Sequence, residues 1–508
     1  MLVKELLEAP WTFLKSTAST SQIPLSYFVA PLIAIIAACF FFTSKPNAPC
    51  LNPRGFFDIT NGRAKKQFLF GLRSVLKTWF DANPHKAASV FSDIGPMTVL
   101  PPSMANEIRS DPRLSFFFHT SIPGFEAFNE GTRDSITLTV INKDLTKRLA
   151  QVTQPVAEET TLAMQDIFTD NKERHIINIR EEILHLVARI SSRVFLGDEL
   201  CREEAWLKIT REHAMNGFVA ADMLRAWPEA LRPLVSWFMP HCRTARSQIR
   251  EAEEIIGPVI SKRREAKEAA VREGREAPVH NDAIEWFEQA SKGTPYNPAL
   301  SQLFLSTVAI HTTTDLLCQT MIDTARHPEY FEPLREEVTR VLAQDGWKKT
   351  SLHSMQLLDS VVKESQRLKP LQLASMQRLA VKDVQLSDGT FIPKGTASCV
   401  SSHALWGPNV YEAPDTWDGH RFLRQRKVPG KESSSQLVST SENHLGFGHG
   451  KHACPGRFFA ANEIRIALAH LLLEYEWRLP EGETLDVRDF GITPIMNQTL
   501  QMEFRKRH

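Results

Sequence analysis

The sequence predicts a mainly α-helical protein with a minor antiparallel β-sheet, placed behind a single transmembrane helix near the N-terminus. Three observations support this prediction. Apolar residues recur at helical spacing in long segments such as 179–195 and 301–326. The segment 381–400 alternates apolar and polar residues around a Ser-Asp-Gly turn, which is typical of a hairpin. Residues 23–43 carry no charge, and a helix of that length would extend roughly 30 Å, enough to cross a bilayer core.

The other helices follow from the same spacing of apolar residues along the chain. The predicted helical segments are 63–80, 142–170, 179–195, 301–326, 330–343, 355–368 and 457–475. The stretch 243–276 carries charged residues at helical spacing and is predicted to be a helix with a solvated face. An exposed loop is predicted to overlap its end, at 265–285.

The N-terminal region is predicted to anchor the protein in a membrane. Residues 1–22 form a short lumenal segment, 23–43 the transmembrane anchor, 44–54 a proline-rich hinge, and 55–508 the main domain. A cleaved signal peptide is the alternative, but 22 residues precede the apolar run and no small-residue cleavage site follows it. Basic residues just after the span place the bulk of the chain in the cytosol by the positive-inside rule.

Composition narrows the class of protein. The chain has 508 residues, of which 42% are hydrophobic and 23% are charged, and this suits a large fold with a sizeable core. The net charge of +1 gives no indication of a nucleic-acid partner. The cysteines number seven, are scattered, and include no Cys-x-x-Cys pair. A disulfide framework and a structural zinc site are therefore disfavoured, and a reducing compartment is favoured.

The most informative segment surrounds Cys454. Residues 446–456 contain four glycines, and a predicted helix follows from Arg457. Glycine allows a backbone loop to lie close against a flat ligand, and the N-terminus of a helix stabilises a cysteine thiolate. Such a loop presents one thiolate ligand on a cleared face, as haem iron requires when its axial ligand is cysteine. The alternative, a buried free thiol beside a glycine-rich turn, leaves the glycines unexplained.

The same segment carries a family resemblance. Phe447, Gly450, Cys454 and Gly456 lie at the spacing of the signature Phe-x-x-Gly-x-Arg-x-Cys-x-Gly, and the chain thereby resembles the cytochrome P450 family. His452 stands where the family usually has an arginine that contacts a haem propionate, and a histidine can still donate a hydrogen bond there. The resemblance covers roughly residues 45–505. It implies the P450 fold and a haem b bound by the Cys454 thiolate in a catalytic domain at 55–508.

A second motif is predicted to form a structural triad. Glu364 and Arg367 are three residues apart on a predicted helix and therefore share a face. An exposed ion pair is the default for such spacing, but the apolar neighbours Val361 and Val362 favour a buried pair that needs a further partner. In the P450 family this Glu-x-x-Arg pair joins an arginine upstream of the cysteine loop. The resemblance assigns that position to Arg421.

Arg378 resembles the arginine with which the family binds a haem propionate; a solvated strand arginine is the alternative. The Trp-x-x-x-Arg helix that often holds a propionate in the family is not seen near 142–149. Lys143, Lys147 and Arg148 are available there, and the sequence does not choose among them.

Residues 309–315 resemble the oxygen-activation segment of the family. The best register puts His311 at the acid position and Thr312 at the threonine, and a shift of one residue would make Thr313 the key hydroxyl. Consecutive hydroxyls in an apolar helix can loosen the preceding turn. They can also position water and deliver protons. The alternative is that these hydroxyls only satisfy helix carbonyl groups.

The resemblance also predicts the residues that line the substrate pocket. They come from the oxygen-activation segment, from the residues before Arg378 and from a loop near the C-terminus, although core packing explains the last group equally well. The predicted lining residues are Ala309, Leu373, Ala374, Met376, Ile495 and Met496.

The resemblance implies a haem-thiolate monooxygenase that oxidises an apolar small molecule with O2. No flavin or nicotinamide site is found in the sequence, so a separate partner must supply electrons. NADPH–cytochrome P450 reductase is that predicted partner, with cytochrome b5 as a second candidate. The anchor and the proline-rich hinge resemble those of a single-pass endoplasmic-reticulum enzyme whose catalytic domain is cytosolic.

A finer resemblance concerns the substrate. The strings at 446–460, 309–313 and 225–233 resemble fungal secondary-metabolism P450s of the ent-kaurene oxidase-like and indole-diterpene type. A terpenoid, meroterpenoid or related metabolite is therefore the expected substrate. Two alternatives stay open: a desaturase, ring-rearranging enzyme or isomerase on the same scaffold, and a non-catalytic haem-binding membrane protein. Dependence of turnover on O2 and NADPH separates these alternatives from a monooxygenase.

Overall fold

Helices form most of the protein, as expected. The structure is a computed structural model that describes residues 47–53, 61–116, 135–225, 227–483, 485 and 487–507. The predicted N-terminal segment and the predicted anchor at 23–43 lie outside the described residues. Within the ranges just given, no helix is both long and apolar enough to cross a membrane. Apart from Asn47, the described residues belong to one compact unit, Ala48–His508.

The α-helices are numbered in chain order over the described residues. They are α1 (Gly62–Ala82), α2 (Ala105–Ile108), α3 (Ser135–Thr139), α4 (Leu149–Phe168), α5 (Ile179–Phe195), α6 (Glu204–Arg225), α7 (Arg232–Val235), α8 (Pro240–Arg272), α9 (Ala283–Ser291), α10 (Pro298–Arg326), α11 (Phe331–Asp345), α12 (Lys349–Ser354), α13 (Gln356–Leu368), α14 (Arg421–Arg426) and α15 (Arg457–Glu474).

The strands are short and form small sheets. They are β1 (Ala88–Ser92), β2 (Gly95–Leu100), β3 (Leu114–Ser115), β4 (His175–Asn178), β5 (Ala374–Ala380), β6 (Val384–Gln385), β7 (Phe391–Ile392), β8 (Ala397–Ser401), β9 (Tyr475–Arg478), β10 (Arg488–Phe490), β11 (Thr493–Ile495) and β12 (Gln501–Lys506). The hairpin predicted around the Ser-Asp-Gly turn is the antiparallel pair β6–β7.

The largest sheet differs from the predicted antiparallel one. Its strand order is β1-β2-β8-β5-β3, and β2 pairs with β8 in parallel, with Met97 opposite Ala397. The other pairs of this sheet are antiparallel. A parallel pair needs a long connection between its strands. Here the connection includes most of the helices, which alternation within one short segment could not reveal.

Some boundaries differ from the predicted ones for local reasons. Helix α10 begins at Pro298, three residues before the predicted start, because Asn297 caps it and accepts a hydrogen bond from the Leu300 N–H at 3.0 Å. The loop predicted at 265–285 is shorter, since α8 continues to Arg272 and α9 starts at Ala283. The single helix predicted at 142–170 is interrupted by a π-helical turn at Val140–Leu145, which ends before α4 begins.

Helix α10 is central to the packing. It contacts α5, α6, α8 and α13, and its buried apolar residues, Ile310 and Leu317 among them, belong to the largest core cluster. Helix α15 belongs to the same cluster and is buried on nearly all sides. Because α15 follows the cysteine loop directly, its packing fixes where that loop can lie.

The Glu364 carboxylate is the centre of a buried ionic network on α13. Arg367 donates to it from Nε and Nη2, each at 2.8 Å. Arg421 donates from Nε at 3.0 Å, and the Asp418 N–H donates at 3.1 Å. Glu364 and Arg367 have no exposed surface, and Arg421 is 9% exposed. The structure thus brings the predicted triad together.

The two arginines of the triad also hold a long irregular segment. Arg367 donates to the carbonyl groups of Leu405 and Pro414 at 2.7 and 2.6 Å. Arg421 donates to the carbonyl groups of Glu412 and Thr416 at 2.5 and 3.0 Å. The buried charges therefore satisfy backbone acceptors that no helix or strand satisfies.

A second buried network on α13 was not predicted. Asp359 accepts from Arg426 at 2.5 Å and also from Arg465 of α15. One turn later, Lys363 Nζ donates to the carbonyl groups of Ser434 and Gln436, at 2.9 and 2.8 Å. Burial lowers the pKa of Lys363 to about 7. The spacing of Asp359, Lys363 and Glu364 was visible in the sequence, but their partners lie far along the chain.

Replacement of Glu364 by glutamine is expected to destabilise the protein by about 3–5 kcal/mol, because it leaves two guanidinium groups buried without a carboxylate. Urea unfolding followed by circular dichroism measures this change. Lys77→Ala is the matched control, since Lys77 pairs with Asp81 on the surface with both side chains mostly exposed, and such pairs contribute about 0–1 kcal/mol. Equal unfolding midpoints for the two variants would contradict the structural role of the triad.

Candidate active site

The cysteine loop is closed by its own backbone. The Cys454 N–H donates to the Phe447 carbonyl at 2.8 Å, and the Gly448 N–H donates to the Leu445 carbonyl at 2.9 Å. Gly448 and Gly450 have φ values of 68° and 78°, in the left-handed region that favours glycine. A Cβ at Gly450 would overlap the side chain of Arg109. Glycine at 450 is therefore needed both for conformation and for close approach.

Cys454 lies just before α15, where Gly456 is the N-cap residue. Burial raises the pKa of the Cys454 thiol, and the backbone N–H groups of Gly456 and Arg457 oppose this effect without cancelling it. The side chain of Cys454 nevertheless has exposed surface. The thiol is therefore accessible to a ligand although protein surrounds it. A metal cation bound there would deprotonate the thiol, so the site fits a metal-bound group such as haem.

Arg378 is a buried cation that forms no ion pair with a carboxylate of the described residues. It is 2% exposed, and its Nη1 donates to the Gln377 carbonyl at 2.7 Å. Its Nη2 has no hydrogen-bond partner among the described residues. Burial lowers the pKa of Arg378 to about 10. Since an unpaired buried charge is costly, this position suits an anionic group such as a haem propionate.

The backbone of β5 explains how Arg378 reaches this position. The pairing of β5 with β8 shifts register between Ser375 and Arg378. Met376, at this bulge, has a φ of 54°, which is uncommon for a residue with a side chain. A bulge re-aims the side chains that follow it. The sequence offered no glycine or asparagine to indicate this bulge.

His452 lies close to Arg378. Burial, followed by the charges of Arg378 and Lys451, lowers the pKa of His452, so its imidazole is neutral near neutral pH. Its ring stacks on Phe116 with centroids 5.9 Å apart, and the Arg378 guanidinium lies 5.6 Å from the centroid of the same ring. The two residues predicted to face one propionate are therefore neighbours.

The candidates for the second propionate are not equivalent. The Arg148 guanidinium already bonds Asp144 at 3.3 Å and Gln289 at 3.2 Å, and it lies 5.6 Å from the ring centroid of Trp286. Lys143 belongs to the π-helical turn, and Lys147 lies between that turn and α4.

The threonines of α10 differ in exposure. Thr312 is exposed, and its hydroxyl donates to the carbonyl groups of Val308 and Ala309 at 3.0 and 3.2 Å. Thr313 is 2% exposed, and its hydroxyl has no partner among the described residues. Thr312 is accessible on a helix that is otherwise mostly buried, so it is the better candidate for proton delivery.

His311 makes a contact that the sequence did not indicate. Its Nε2 lies 3.0 Å from the carbonyl oxygen of Arg211 on α6. Burial, followed by the charge of Arg180, lowers the pKa of His311 to about 4. A neutral imidazole bound to a carbonyl is a poor proton donor. This geometry therefore favours a positioning role over the acid position that the register predicts.

The predicted substrate-lining residues differ in exposure and in the core clusters to which they belong. Leu373, Ala374, Met376 and Met496 are between 0% and 4% exposed, whereas Ile495 is 38% exposed. Ala374, Met376 and Met496 belong to three different core clusters. Residues 373 and 492 are nevertheless neighbours, since the Leu373 N–H donates to the Ile492 carbonyl at 2.7 Å.

A further apolar residue was missed. Val308 is 45% exposed and lies one turn before Thr312, next to the partly buried Ala309. The i, i+4 relation to Thr312 was the signal that could have found it.

Comparisons with known proteins identify the same family that the cysteine motif resembles. The family model for cytochrome P450 matches residues 115–502. The cytochrome P450 monooxygenase hepE of Aspergillus oryzae is 48% identical over 96% of this chain and 91% of its own. The cytochrome P450 monooxygenase TRI1 of Fusarium sporotrichioides is 46% identical over 95% and 90%. The dihydromonacolin L monooxygenase mokC of Monascus pilosus is 38% identical over 91% and 90%.

A solved structure shows the same fold. The crystal structure of the cytochrome P450DA heme domain aligns with a TM-score of 0.68, covering 91% of this chain and 97% of that chain at 15% identity. The family match and the monooxygenase relatives agree with the cysteine loop at Cys454, the buried triad of Glu364, Arg367 and Arg421, and the exposed threonine on α10. The chain belongs to the cytochrome P450 family, whose members bind haem through a cysteine thiolate, and it is a P450 monooxygenase.

Proposed function

We propose that Cys454 is the axial thiolate ligand of the haem, and that the enzyme oxidises an apolar small molecule with O2. The observation that supports this most directly is the accessible Cys454 thiol, which lies beside the N–H groups that begin α15. When bound, the haem supplies the oxidising chemistry, and its thiolate ligand favours O–O cleavage. Arg378 and His452 hold one propionate in this proposal.

Thr312 is the proposed proton-delivering residue. Its hydroxyl can turn from the Val308 and Ala309 carbonyl groups, to which it now donates, and hold a water molecule in the site. The hydroxyl thus positions a proton where general acid catalysis needs one. Thr313, which is buried, keeps a packing role.

The proposed substrate is a terpenoid, meroterpenoid or related fungal metabolite. Exposed Val308 and partly buried Ala309 give an apolar surface beside Thr312, which suits a hydrocarbon skeleton. The most similar relatives come from filamentous fungi, and one of them is named for a small metabolite, dihydromonacolin L.

The electron donor is proposed to be NADPH–cytochrome P450 reductase, with cytochrome b5 as a second donor. P450 monooxygenases use a separate redox partner, which supports this part of the proposal. The proposed location is the endoplasmic-reticulum membrane, with residues 23–43 as a single-pass anchor and the catalytic domain in the cytosol. The uncharged apolar character of 23–43 supports this location.

Replacement of Cys454 by alanine is expected to abolish the red-shifted Soret band of the ferrous–CO complex that a thiolate ligand produces. The spectrum of the purified full chain measures this directly. Cys50→Ser is the matched control, because Cys50 is also an exposed free thiol and lies in the hinge. A Cys454→Ala protein that kept the thiolate band would overturn the assignment.

Replacement of Arg378 by methionine is expected to speed haem loss by roughly ten- to a hundredfold, because a charged hydrogen bond contributes about 1.5–3 kcal/mol. Transfer of haem to apomyoglobin measures the rate. The apoprotein of the same variant is expected to unfold at a higher urea concentration, since an unpaired buried charge is removed. An unchanged haem-transfer rate would show that Arg378 does not bind a propionate.

Replacement of Thr312 by valine is expected to increase hydrogen peroxide release per NADPH consumed several-fold, because the accessible hydroxyl no longer supplies a proton. Reductase-coupled assays of NADPH consumption and peroxide measure this ratio. Thr313→Val and Thr314→Val are the controls, and Thr314 already donates to the Ile310 carbonyl at 2.8 Å. If Thr313→Val raised peroxide release and Thr312→Val did not, Thr313 would be the relay.

A further inference from the structure

We infer that His311 is a positioning residue that joins α6 to α10 beside Thr312, through a hydrogen bond from its Nε2–H to the Arg211 carbonyl. The inference rests on the proposed function only in that Thr312 is taken as the proton-delivering residue. The bond links residues 100 positions apart, with a distance of 3.0 Å. It therefore adds a specific polar contact to the packing of α6 against α10.

The geometry fixes the tautomer of His311. A carbonyl oxygen can only accept a hydrogen bond, so Nε2 carries the proton. Nδ1 is buried and has no partner among the described residues, and it has no accessible surface through which water or substrate could reach it. The imidazole thus offers its single donor to α6. Because Nε2–H is a donor in either protonation state, the bond does not depend on pH.

The carbonyl of Arg211 is well placed to receive this bond. The Arg211 side chain turns back along its own helix, where Nε donates to the Leu207 carbonyl at 3.2 Å and Nη2 bonds Glu204 at 2.8 Å. The side chain of Arg211 is thus engaged within α6, and the contact with α10 is made by its main chain. A substitution at 211 would leave the acceptor in place.

Helix α6 is packed against a second helix, α8. His213 Nδ1 on α6 lies 3.2 Å from Gln248 Oε1 on α8. Both helices contact α10. A bond between His311 and α6 therefore holds the α6–α8 pair against α10.

The position of His311 on α10 gives the bond a functional consequence. At 3.6 residues per turn, His311 lies about 60° around the helix from Val308 and about 100° from Thr312. Apart from Arg326 at its C-terminal end, Val308 and Thr312 are the exposed residues of this helix. The bond therefore borders the accessible surface of α10, and its loss would allow α6 to separate from that surface.

The test compares His311→Leu with His311→Gln. Leucine removes the donor, whereas the glutamine amide can still donate to a carbonyl and cannot act as an acid near neutral pH. A neutral buried hydrogen bond corresponds to roughly a three- to tenfold change in an opening equilibrium. We expect His311→Leu to raise amide hydrogen exchange in α6 by this factor. It should also raise the association and dissociation rates of an azole that ligates the haem iron.

The expected pattern is wild-type behaviour for His311→Gln and for Arg211→Ala, the latter being the control because its carbonyl remains. If both His311 variants released more peroxide while exchange in α6 stayed at the wild-type rate, His311 would act in proton transfer and the inference would be wrong. Unchanged exchange and azole rates in His311→Leu would also overturn it. His311→Asn, whose side chain is too short to reach the carbonyl, replaces His311→Leu if that variant does not fold.

Failure of the proposed function is distinguishable from failure of this inference. If the wild-type protein gave no thiolate-type CO spectrum, the proposed function would be wrong and the azole assay could not be used. Hydrogen exchange in α6 would still report the bond.

Discussion

The burial of charge on α13 is the constraint on which the rest of the structure depends. Glu364 has no exposed surface and is surrounded by Arg367 and Arg421. Two arginines have more N–H donors than one carboxylate can accept. The remaining donors bond the carbonyl groups of an irregular segment at 405–416. Removing any member exposes the others to an uncompensated desolvation cost. The irregular chain before the cysteine loop is therefore ordered by ionic contacts and not by regular secondary structure.

Two buried arginines of this protein differ in whether their guanidinium nitrogens have hydrogen-bond acceptors within the protein. Arg367 and Arg378 are both fully buried arginines. Every nitrogen named for Arg367 has an acceptor within the protein, whereas Nη2 of Arg378 has none among the described residues. Burial of an unsatisfied charge is costly, so the unpaired nitrogen of Arg378, close to Phe116 and to His452 of the cysteine loop, favours an anionic partner. That difference is the physical basis for placing a ligand carboxylate at Arg378.

The sequence predicted what depends on local spacing. Helix α5 has the bounds that its apolar spacing predicts, and the glycines around Cys454 match the loop that the structure forms. The sequence could not predict what depends on tertiary packing. Exposure of Thr312 and burial of Thr313 depend on how α10 is rotated against its neighbours, and the partner of His311 is a backbone carbonyl 100 residues away. Every residue has a main-chain carbonyl group, so the residue type at 211 does not indicate that its carbonyl accepts this bond.

The same limit applies to the substrate-lining residues. Ala374 and Met376 are adjacent to the propionate candidate in sequence, but strand geometry sends them into different core clusters. Met376 lies at a bulge and has a φ of 54°, so it does not share a face of β5 with Ala374 as residues two apart in a strand usually do. The spacing of Val308 and Thr312 puts them on one face of α10, but the exposure of that face depends on tertiary packing.

The parallel pairing of β2 with β8 has a consequence for how the chain folds. Met97 and Ala397 are neighbours in the sheet, so closure of this contact must wait until most of the polypeptide exists. Contacts between such distant residues slow folding, because the entropy of a long loop is lost before the contact forms. During synthesis the β1–β2 hairpin has an unpaired edge until β8 emerges, and unpaired edges promote aggregation. The edge of β2 that pairs with β8 therefore stays unpaired from the synthesis of residue 100 until that of residue 401, and the nascent chain is most prone to aggregate through this strand during that interval.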